Sequence, residues 1–180
     1  MNKISNTIWE TVKVVGLAIL IVVPIRYFLF QPFFVQGQSM EPNLETGDYL
    51  IIDEISYRFN NPTRGDIVVL KYPSDPSQRF IKRIIGLPEE TIDIADGKIV
   101  VTKGGTTKQL DESAYILLPF GTTGSVHVTL KDNEYFVMGD NRAVSFDSRR
   151  WGPLPRNMII GRAFFRAWPF VVFDRVDPFK

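Results

Sequence analysis

The chain has 180 residues, of which 44% are hydrophobic and 23% are charged, and its formal net charge is +1. This length allows one domain of ordinary size with a short appendage. The hydrophobic content excludes a disordered chain, and the near-neutral charge gives no basic surface for nucleic acid. The absence of cysteine excludes disulfides, thiolate zinc sites and cysteine nucleophiles. The single histidine, His127, lies in an alternating segment that is typical of a partly exposed strand residue.

The first predicted element is an apolar run that begins at Val14 and continues past Arg26 to Phe30. Its 17 residues are about the lower limit for a helix that spans a bilayer. A removable secretory signal would need a pair of small residues after the run, and the chain offers none between Pro24 and Gln36. A soluble core helix would show a polar face at each turn, and this run is apolar all round. We therefore predict that residues 1–30 form a cytoplasmic tail and an uncleaved membrane anchor.

The charges around this run predict its orientation. Lys3 and Lys13 precede it, and no lysine or arginine occurs between Gln31 and Tyr57. Because positive charge favours the cytoplasmic side, we expect a single-pass protein of the cell membrane with its N-terminus in the cytoplasm. The rest of the chain is then expected on the extracytoplasmic side.

The hydrophobic pattern of residues 31–180 changes to short runs rich in valine, isoleucine and aromatic residues, separated by turn residues. The predicted strands are Tyr49–Ile52, Ile67–Leu70, Phe80–Ile85, Thr91–Ile94, Lys98–Val101, Val126–Leu130, Tyr135–Met138 and Met158–Ala167. Asp96-Gly97 is a strong two-residue hairpin signal. Residues 102–124 carry few strand signals and are predicted to form an irregular insertion. The expected fold is mainly β, an antiparallel β domain that follows the N-terminal helix.

Ser39 and Lys82 are the candidate catalytic pair. Ser39 follows Gly37 in a predicted turn before the first strand, so its backbone amide can face a substrate carbonyl. Lys82 lies in a predicted strand, where alternation places it on the same face as Phe80 and Ile84. Apolar neighbours would remove water from the amine and lower its pKa, as a general base near neutral pH requires. A Ser-Lys pair is a known variant of the serine, histidine and aspartate triad. A loop serine and a solvated strand lysine remain the alternative for these two residues alone.

A dense polar segment, 139–149, follows the predicted strand Tyr135–Met138. A solvated loop or a calcium-binding loop could have this composition, since Asp140, Asn141 and Asp147 offer oxygen ligands. Its two arginines, Arg142 and Arg149, argue against a cation. No metal and no cofactor are therefore expected.

Together these segments resemble the type I signal peptidases, the membrane-anchored serine proteases that remove signal peptides. The resemblance spans the anchor and nearly the whole domain. It rests on four ordered motifs, Ser39-Met40-x-Pro42, Gly65-Asp66-Ile67-Val68-Val69, the run from Arg79 to Pro88, and Gly139-Asp140-Asn141-Arg142 with Ser145-x-Asp147-Ser148-Arg149.

The resemblance implies that Ser39 is the nucleophile and Lys82 the general base of a serine endopeptidase. It also implies that Ser145 hydrogen-bonds the lysine amine, and that Asp147 and Arg149 form a supporting ion pair, extended by Arg83. Some relatives have a serine two positions before the nucleophile that helps to hold the oxyanion. Here that position is Gly37, so Gly37→Ser is expected to keep turnover or to raise it modestly.

The resemblance further implies cleavage after small residues at the first and third positions before the cut. The residues that match the walls of such shallow pockets are Phe33, Val35, Met40, Leu44, Phe80 and Ile81, and each could equally be a plain core residue. The implied partners are signal peptides of secretory preproteins and membrane lipid, with possible proximity to the secretion channel. No nucleic acid partner is expected.

Two other classes of protein are alternatives. Self-cleaving Ser-Lys repressors share a related β fold, but they carry a DNA-binding half where this chain has an apolar run. A non-catalytic membrane-anchored β module is the second alternative.

Overall fold

The computed structural model describes residues 3–28, 30–116, 121–168 and 171–172. The described residues form a long N-terminal helix and two antiparallel sheets, connected by short helices and turns. The helices are α1 (Lys3–Phe28), α2 (Ser56–Phe59) and α3 (Ser148–Trp151), with a 3-10 turn at Arg156–Met158. The fold class predicted from the sequence, mainly antiparallel β, is confirmed.

The larger sheet has eight described strands in the order β1-β2-β11-β3-β4-β9-β10, and β12 pairs with β11. They are β1 (Phe30–Phe34), β2 (Tyr49–Asp53), β3 (Ile67–Tyr72), β4 (Asp75–Gly86), β9 (Glu134–Met138), β10 (Leu154–Pro155), β11 (Ile159–Trp168) and β12 (Val171–Val172). The smaller sheet has the order β7-β6-β5-β8. Its strands are β5 (Thr91–Ala95), β6 (Lys98–Lys103), β7 (Thr106–Gln109) and β8 (Val126–Thr129).

All eight strands expected from alternation are present within a few residues of their predicted bounds. The hairpin at Asp96-Gly97 also forms, and both residues have positive φ, 50° and 76°, as a two-residue turn requires. The segment 102–124 differs from its prediction, because β7 lies within it and pairs with β6. The four residues of β7 are all exposed, and a strand without a buried face has no hydrophobic alternation to detect.

Helix α1 contains the predicted membrane-spanning run as far as Phe28, while Leu29 lies outside the described residues. The side chains of residues 7–20 are all exposed. Among the residues that the structure describes, none of the helices combines the length and the apolar character that crossing a bilayer requires.

A buried cluster under the larger sheet positions the candidate site. It contains Val35, Met40, Leu44, Leu50, Ile52, Ile67, Val69, Ile81 and Ala163. Three of these residues, Val35, Met40 and Leu44, come from the loop between β1 and β2, and Ile81 comes from β4. Burial of their side chains therefore holds the loop that carries Ser39 against the strand that carries Lys82.

Candidate active site

Ser39 lies in the loop that joins β1 to β2. Backbone hydrogen bonds close the base of this loop, from Val35 N to Asp48 O (2.9 Å) and from Gly47 N to Val35 O (3.0 Å). Within the loop, the amide of Leu44 donates to the carbonyl of Met40 at 3.0 Å. The serine is thus carried by an internally bonded loop with three buried anchors, Val35, Met40 and Leu44.

Lys82 lies on β4, opposite Val68 of β3, and its residue surface is 3% exposed. Its Nζ donates to Ser39 Oγ at 2.8 Å and to the carbonyl of Ile81 at 2.9 Å. The ring of Phe80 lies beside the amine, with 5.4 Å between Nζ and the ring centroid. The structure therefore brings the two predicted catalytic residues into direct contact, although 43 positions separate them in the chain.

Burial lowers the pKa of Lys82 from 10.5 to about 8, because an ammonium group is poorly solvated in this site. The carboxylates of Asp147 and Asp140 oppose the shift. With a pKa near 8, a substantial fraction of the amine is neutral at mildly basic pH. A neutral amine 2.8 Å from a hydroxyl can accept its proton.

Ser145 and Asp147 lie in the loop after β9, and both are buried. The amide of Gly139 donates to Ser145 Oγ at 3.2 Å and to Asp147 Oδ2 at 3.1 Å. The hydrogen bonds of Lys82 Nζ within the described chain go to Ser39 and Ile81. The hydrogen bond expected between Ser145 and Lys82 is not one of them.

Asp147 and Arg149 form the expected ion pair, with Arg149 Nε 2.9 Å from Oδ1 and Nη2 2.8 Å from Oδ2. Burial by itself would raise the pKa of Asp147. Hydrogen bonds and charge from Arg149, with further hydrogen bonds from Ser145 and Gly139, lower this pKa below its usual value. Asp147 is therefore an ionised carboxylate that holds the loop around Ser145.

Arg83 does not extend that ion pair, which corrects the expectation from the sequence. It pairs instead with Asp140, through Nε to Oδ1 at 2.8 Å and Nη2 to Oδ2 at 2.6 Å. Its third nitrogen donates to the carbonyl of Gly65 at 2.9 Å. Alternation along β4 turns Arg83 away from Lys82, toward a carboxylate whose role the sequence did not indicate.

A second buried arginine, Arg142, was not predicted as a site residue. Its guanidinium forms a bidentate pair with Glu112, at 2.7 and 2.5 Å, while its Nε donates to the carbonyl of Gly139 at 3.0 Å. Glu112 lies in the predicted insertion, where it also accepts a hydrogen bond from the hydroxyl of Tyr115 at 2.8 Å. This segment therefore supports the loop that carries Ser145.

The loop of Ser39 and the loop after β9 are bonded directly to each other. Asn141 donates its amide to the Ser39 carbonyl at 3.0 Å. The side chain of Asn43 donates to Asp140 Oδ2 at 2.9 Å. Gly139 lies between Ser39 and Ser145 with no room for a side chain, since an added Cβ would come within 3.0 Å of both.

A cleft of about 250 Å³ opens beside Ser39. Its lining residues are Phe33, Phe34, Gln36, Ser39, Arg79, Phe80, Ile81 and Lys82. Three of the six predicted pocket residues, Phe33, Phe80 and Ile81, thus line the cleft. The other three, Val35, Met40 and Leu44, are at most 1% exposed and belong to the buried cluster. The sequence did not distinguish these two roles, because a buried anchor and a pocket wall have the same apolar character.

Gly37 has φ +88°, and within the part of the chain that the structure describes an added Cβ would meet no atom within 4 Å. Space for a serine side chain is therefore available, but a non-glycine residue is strained in this backbone region. The strain opposes any gain in turnover expected from Gly37→Ser.

Comparisons with known proteins identify the family of this chain. The model of the family described as "Signal peptidase, peptidase S26" matches residues 8–168. The protein named probable signal peptidase I-2 of Synechocystis sp. is 41% identical over 171 residues, covering 92% of this chain and 75% of that protein. The signal peptidase I of Leptolyngbya laminosa is 38% identical over 184 residues, with 98% of this chain and 87% of that protein covered.

A crystal structure of a signal peptidase I from Enterococcus faecalis is 30% identical, with a TM-score of 0.46 over 57% of this chain and 97% of that chain. The family match and the two relatives cover almost the whole chain. The chain belongs to the signal peptidases of peptidase family S26, as a type I signal peptidase and serine endopeptidase.

Proposed function

We propose that this chain removes N-terminal signal peptides from secretory preproteins by cutting after small-x-small sites, with Ser39 as nucleophile and Lys82 as general base. The single observation that carries the proposal is the 2.8 Å contact between Lys82 Nζ and Ser39 Oγ. The buried position of the lysine, with its pKa lowered to about 8, supports the role of a base.

The reaction proceeds in two halves. Neutral Lys82 accepts the Ser39 proton while Oγ attacks the scissile carbonyl carbon, and the carbonyl oxygen gains the negative charge. The Ser39 backbone amide donates to no other backbone group of the described residues, and it donates to that oxygen. Collapse of the intermediate breaks the C–N bond, and the Lys82 ammonium protonates the leaving amine.

The acyl-enzyme is then hydrolysed by the same groups. Neutral Lys82 takes a proton from a water molecule, whose oxygen attacks the ester carbon. When the intermediate collapses, the proton returns to Ser39 Oγ and the signal peptide leaves with a new carboxylate. No group beyond water is consumed.

Ser145, Asp147 and Arg149, together with Arg83, support these steps without touching the substrate. The Asp147–Arg149 pair holds the loop of Ser145, and the Arg83–Asp140 pair holds the start of the same loop. Ser145 is 4% exposed and its Oγ would lie within 3.0 Å of a Cβ added at Gly139. We assign it the role of orienting the lysine amine when substrate binds, because catalytic hydrogen bonds often tighten only in the complex.

Selection of small side chains follows from the shape of the cleft. The apolar walls from Phe33, Phe80 and Ile81 favour uncharged substrate groups. A volume of about 250 Å³ must hold several backbone units as well as side chains, so bulky side chains are excluded by size. The buried residues Met40 and Leu44 act only by fixing the loop.

The N-terminal segment, residues 1–30, attaches the enzyme to the cell membrane, and residues 31–180 form the extracytoplasmic catalytic domain. Support comes from the exposed apolar side chains of α1, including Trp9, Val14, Leu17 and Leu20, which are 59–69% exposed. An apolar surface of this size needs a membrane or protein partner. A single pass with a cytoplasmic N-terminus would place the active site beside lipid and near the secretion channel.

The test uses the full chain in neutral detergent and a preprotein with an Ala-x-Ala site. Mass spectrometry of the products should locate one cut after the second alanine. Ser39→Ala and Lys82→Met should each lower turnover by about 10⁴-fold or more. The matched controls Ser113→Ala and Lys98→Met change exposed residues outside the cleft and should keep wild-type turnover.

Two results would reject the proposal. One is a wild-type enzyme that releases no mature product, and the other is a Ser39→Ala enzyme that cuts as fast as wild type. Membrane attachment is checked separately by alkaline extraction of membranes. The full chain should stay with the lipid, and a chain without residues 1–30 should be released.

A further inference from the structure

Two cations stand side by side on the larger sheet, and one of them, Arg79, lines the cleft. Lys71 of β3 and Arg79 of β4 are direct antiparallel partners, so their side chains leave the same face of the sheet. Both are exposed. Like charges at directly opposite positions destabilise a sheet. Stability of the sheet therefore does not explain why both positions carry a basic residue.

Neither cation has a carboxylate partner within the described part of the chain, where the ion pairs of the larger sheet involve other residues. Asp75 is the sole acidic residue in the sequence from Ile67 to Gly86. Its carboxylate already accepts hydrogen bonds from Ser77 at 2.6 Å and Gln78 at 2.7 Å. The positive charge is thus left uncompensated by its own hairpin.

The position of Arg79 connects this charge to the substrate. Arg79 lines the same cleft as Ser39 and Lys82, and the lining contains no acidic residue. The chain as a whole is nearly neutral, with 21 basic and 20 acidic residues. The cation pair is therefore a local feature of the cleft.

We propose that Lys71 and Arg79 form a subsite that selects an acidic side chain in the preprotein about three residues from the scissile bond. The distance follows from strand geometry: Arg79 precedes Lys82 by three residues of β4, or about 10 Å at about 3.3 Å per residue. An extended peptide has nearly the same rise. Alternation turns Arg79 to the face of β4 opposite Lys82, but its side chain still lines the cleft, so it reaches peptide side chains two to four positions from the cut, the essential alanines excepted. The proposal rests on the proposed function and deepens it.

The test measures kcat/KM for internally quenched peptides that share one Ala-x-Ala site. Glutamate, glutamine or lysine is placed singly at each position from five before to four after the cut, the two essential alanines excepted. The enzyme is the full chain in neutral detergent at low salt. At one or two positions about three residues from the cut, wild type should prefer glutamate to lysine by about tenfold, the size expected for reversing one charge in a partly exposed pair.

Four variants assign this preference to residues. Arg79→Gln should reduce the ratio to about one, Arg79→Glu should invert it, and Arg79→Lys should keep most of it. Lys71→Glu should reduce it in part. The matched control is Arg58→Glu, an exposed charge reversal on α2, and it should keep the wild-type ratio. The change should appear in KM, because a remote charge binds substrate and transition state alike, and 0.5 M salt should weaken it.

Three outcomes would overturn the proposal. In the first, Arg79→Gln keeps the wild-type ratio at every position. In the second, Arg79→Glu and Arg58→Glu alter the ratio equally. In the third, Arg79→Glu slows all peptides alike and only with vesicles of phosphatidylglycerol, which assigns the cations to a lipid surface. Failure of wild type to cut any peptide would instead reject the proposed function, and this subsite with it.

Discussion

Replacing Gly139 by alanine is the sharpest perturbation of the candidate site. The glycine lies where the loop after β9 meets the loop of the nucleophile. A Cβ at this position would come within 3.0 Å of the Ser39 carbonyl oxygen and of Ser145 Oγ, separations that Cβ atoms do not adopt. Because the carbonyl belongs to the backbone, the two loops must move apart.

The expected size of the effect follows from this geometry. To restore van der Waals contact, the loops must separate by about 1 Å, and overpacking of this kind costs about 1–3 kcal/mol of unfolding free energy. The separation would lengthen the Asn141 N to Ser39 O hydrogen bond, now 3.0 Å. A displacement of about 1 Å in a reacting group can lower the rate by about 100-fold. We therefore expect Gly139→Ala to lower kcat/KM at least about 100-fold.

The assay is cleavage of an Ala-x-Ala peptide, with thermal unfolding measured on the same samples. Gly121→Ala is the neutral control, since its Cβ would meet no atom of the described residues within 4 Å. Gly86→Ala is the control for lost stability, because its Cβ would contact the side chains of Ile92 and Phe136 at 2.8 Å. Gly86→Ala should unfold at lower temperature yet keep kcat in its folded fraction. If Gly139→Ala stays within about threefold of wild type, the close approach of the two loops does not control catalysis.

Three further predictions concern buried charges. Because Lys82 must be neutral to act as a base, kcat/KM should rise with pH to a plateau above about 8. Phe80→Ala admits water beside the amine, so the rise in kcat/KM should occur at higher pH in this variant. An unchanged pH profile would contradict the desolvation argument. The pKa of Lys82 is about 8 when folded and 10.5 when unfolded, so the unfolded state binds more protons between these values and wild-type stability should rise with pH across that window. The free energy of unfolding measured with urea should rise by about 3 kcal/mol in wild type and should not rise in Lys82→Met. An equal rise in both proteins would refute the assignment to Lys82. Arg83→Met leaves the Asp140 carboxylate buried without its arginine partner and should lower the free energy of unfolding by about 3–5 kcal/mol. The double variant, Arg83→Met with Asp140→Asn, should recover part of that loss. Additive losses from the two substitutions would argue against a coupled pair.

Much of the fold could be predicted because its strands bury one face. In β5, Ile92 and Ile94 are buried while Thr91 and Asp93 are partly exposed, and this alternation is visible in the sequence. The strands that were missed lack such a pattern: β1 contains Pro32 in an edge strand, where proline is tolerated. Short strands at an edge take their conformation from a neighbour, which a local pattern does not identify.

The candidate site was predictable in its chemistry and only partly in its contacts. The motifs that resemble those of type I signal peptidases implied Ser39 and Lys82 as nucleophile and base, and alternation already placed Lys82 among apolar neighbours. The tertiary structure alone decided which groups meet: Ser39 lies 2.8 Å from Lys82, Arg83 pairs with Asp140, and Met40 is an anchor. The physical reason is that side-chain periodicity is set by the local backbone, whereas contacts between distant segments depend on how the loops pack onto the sheet.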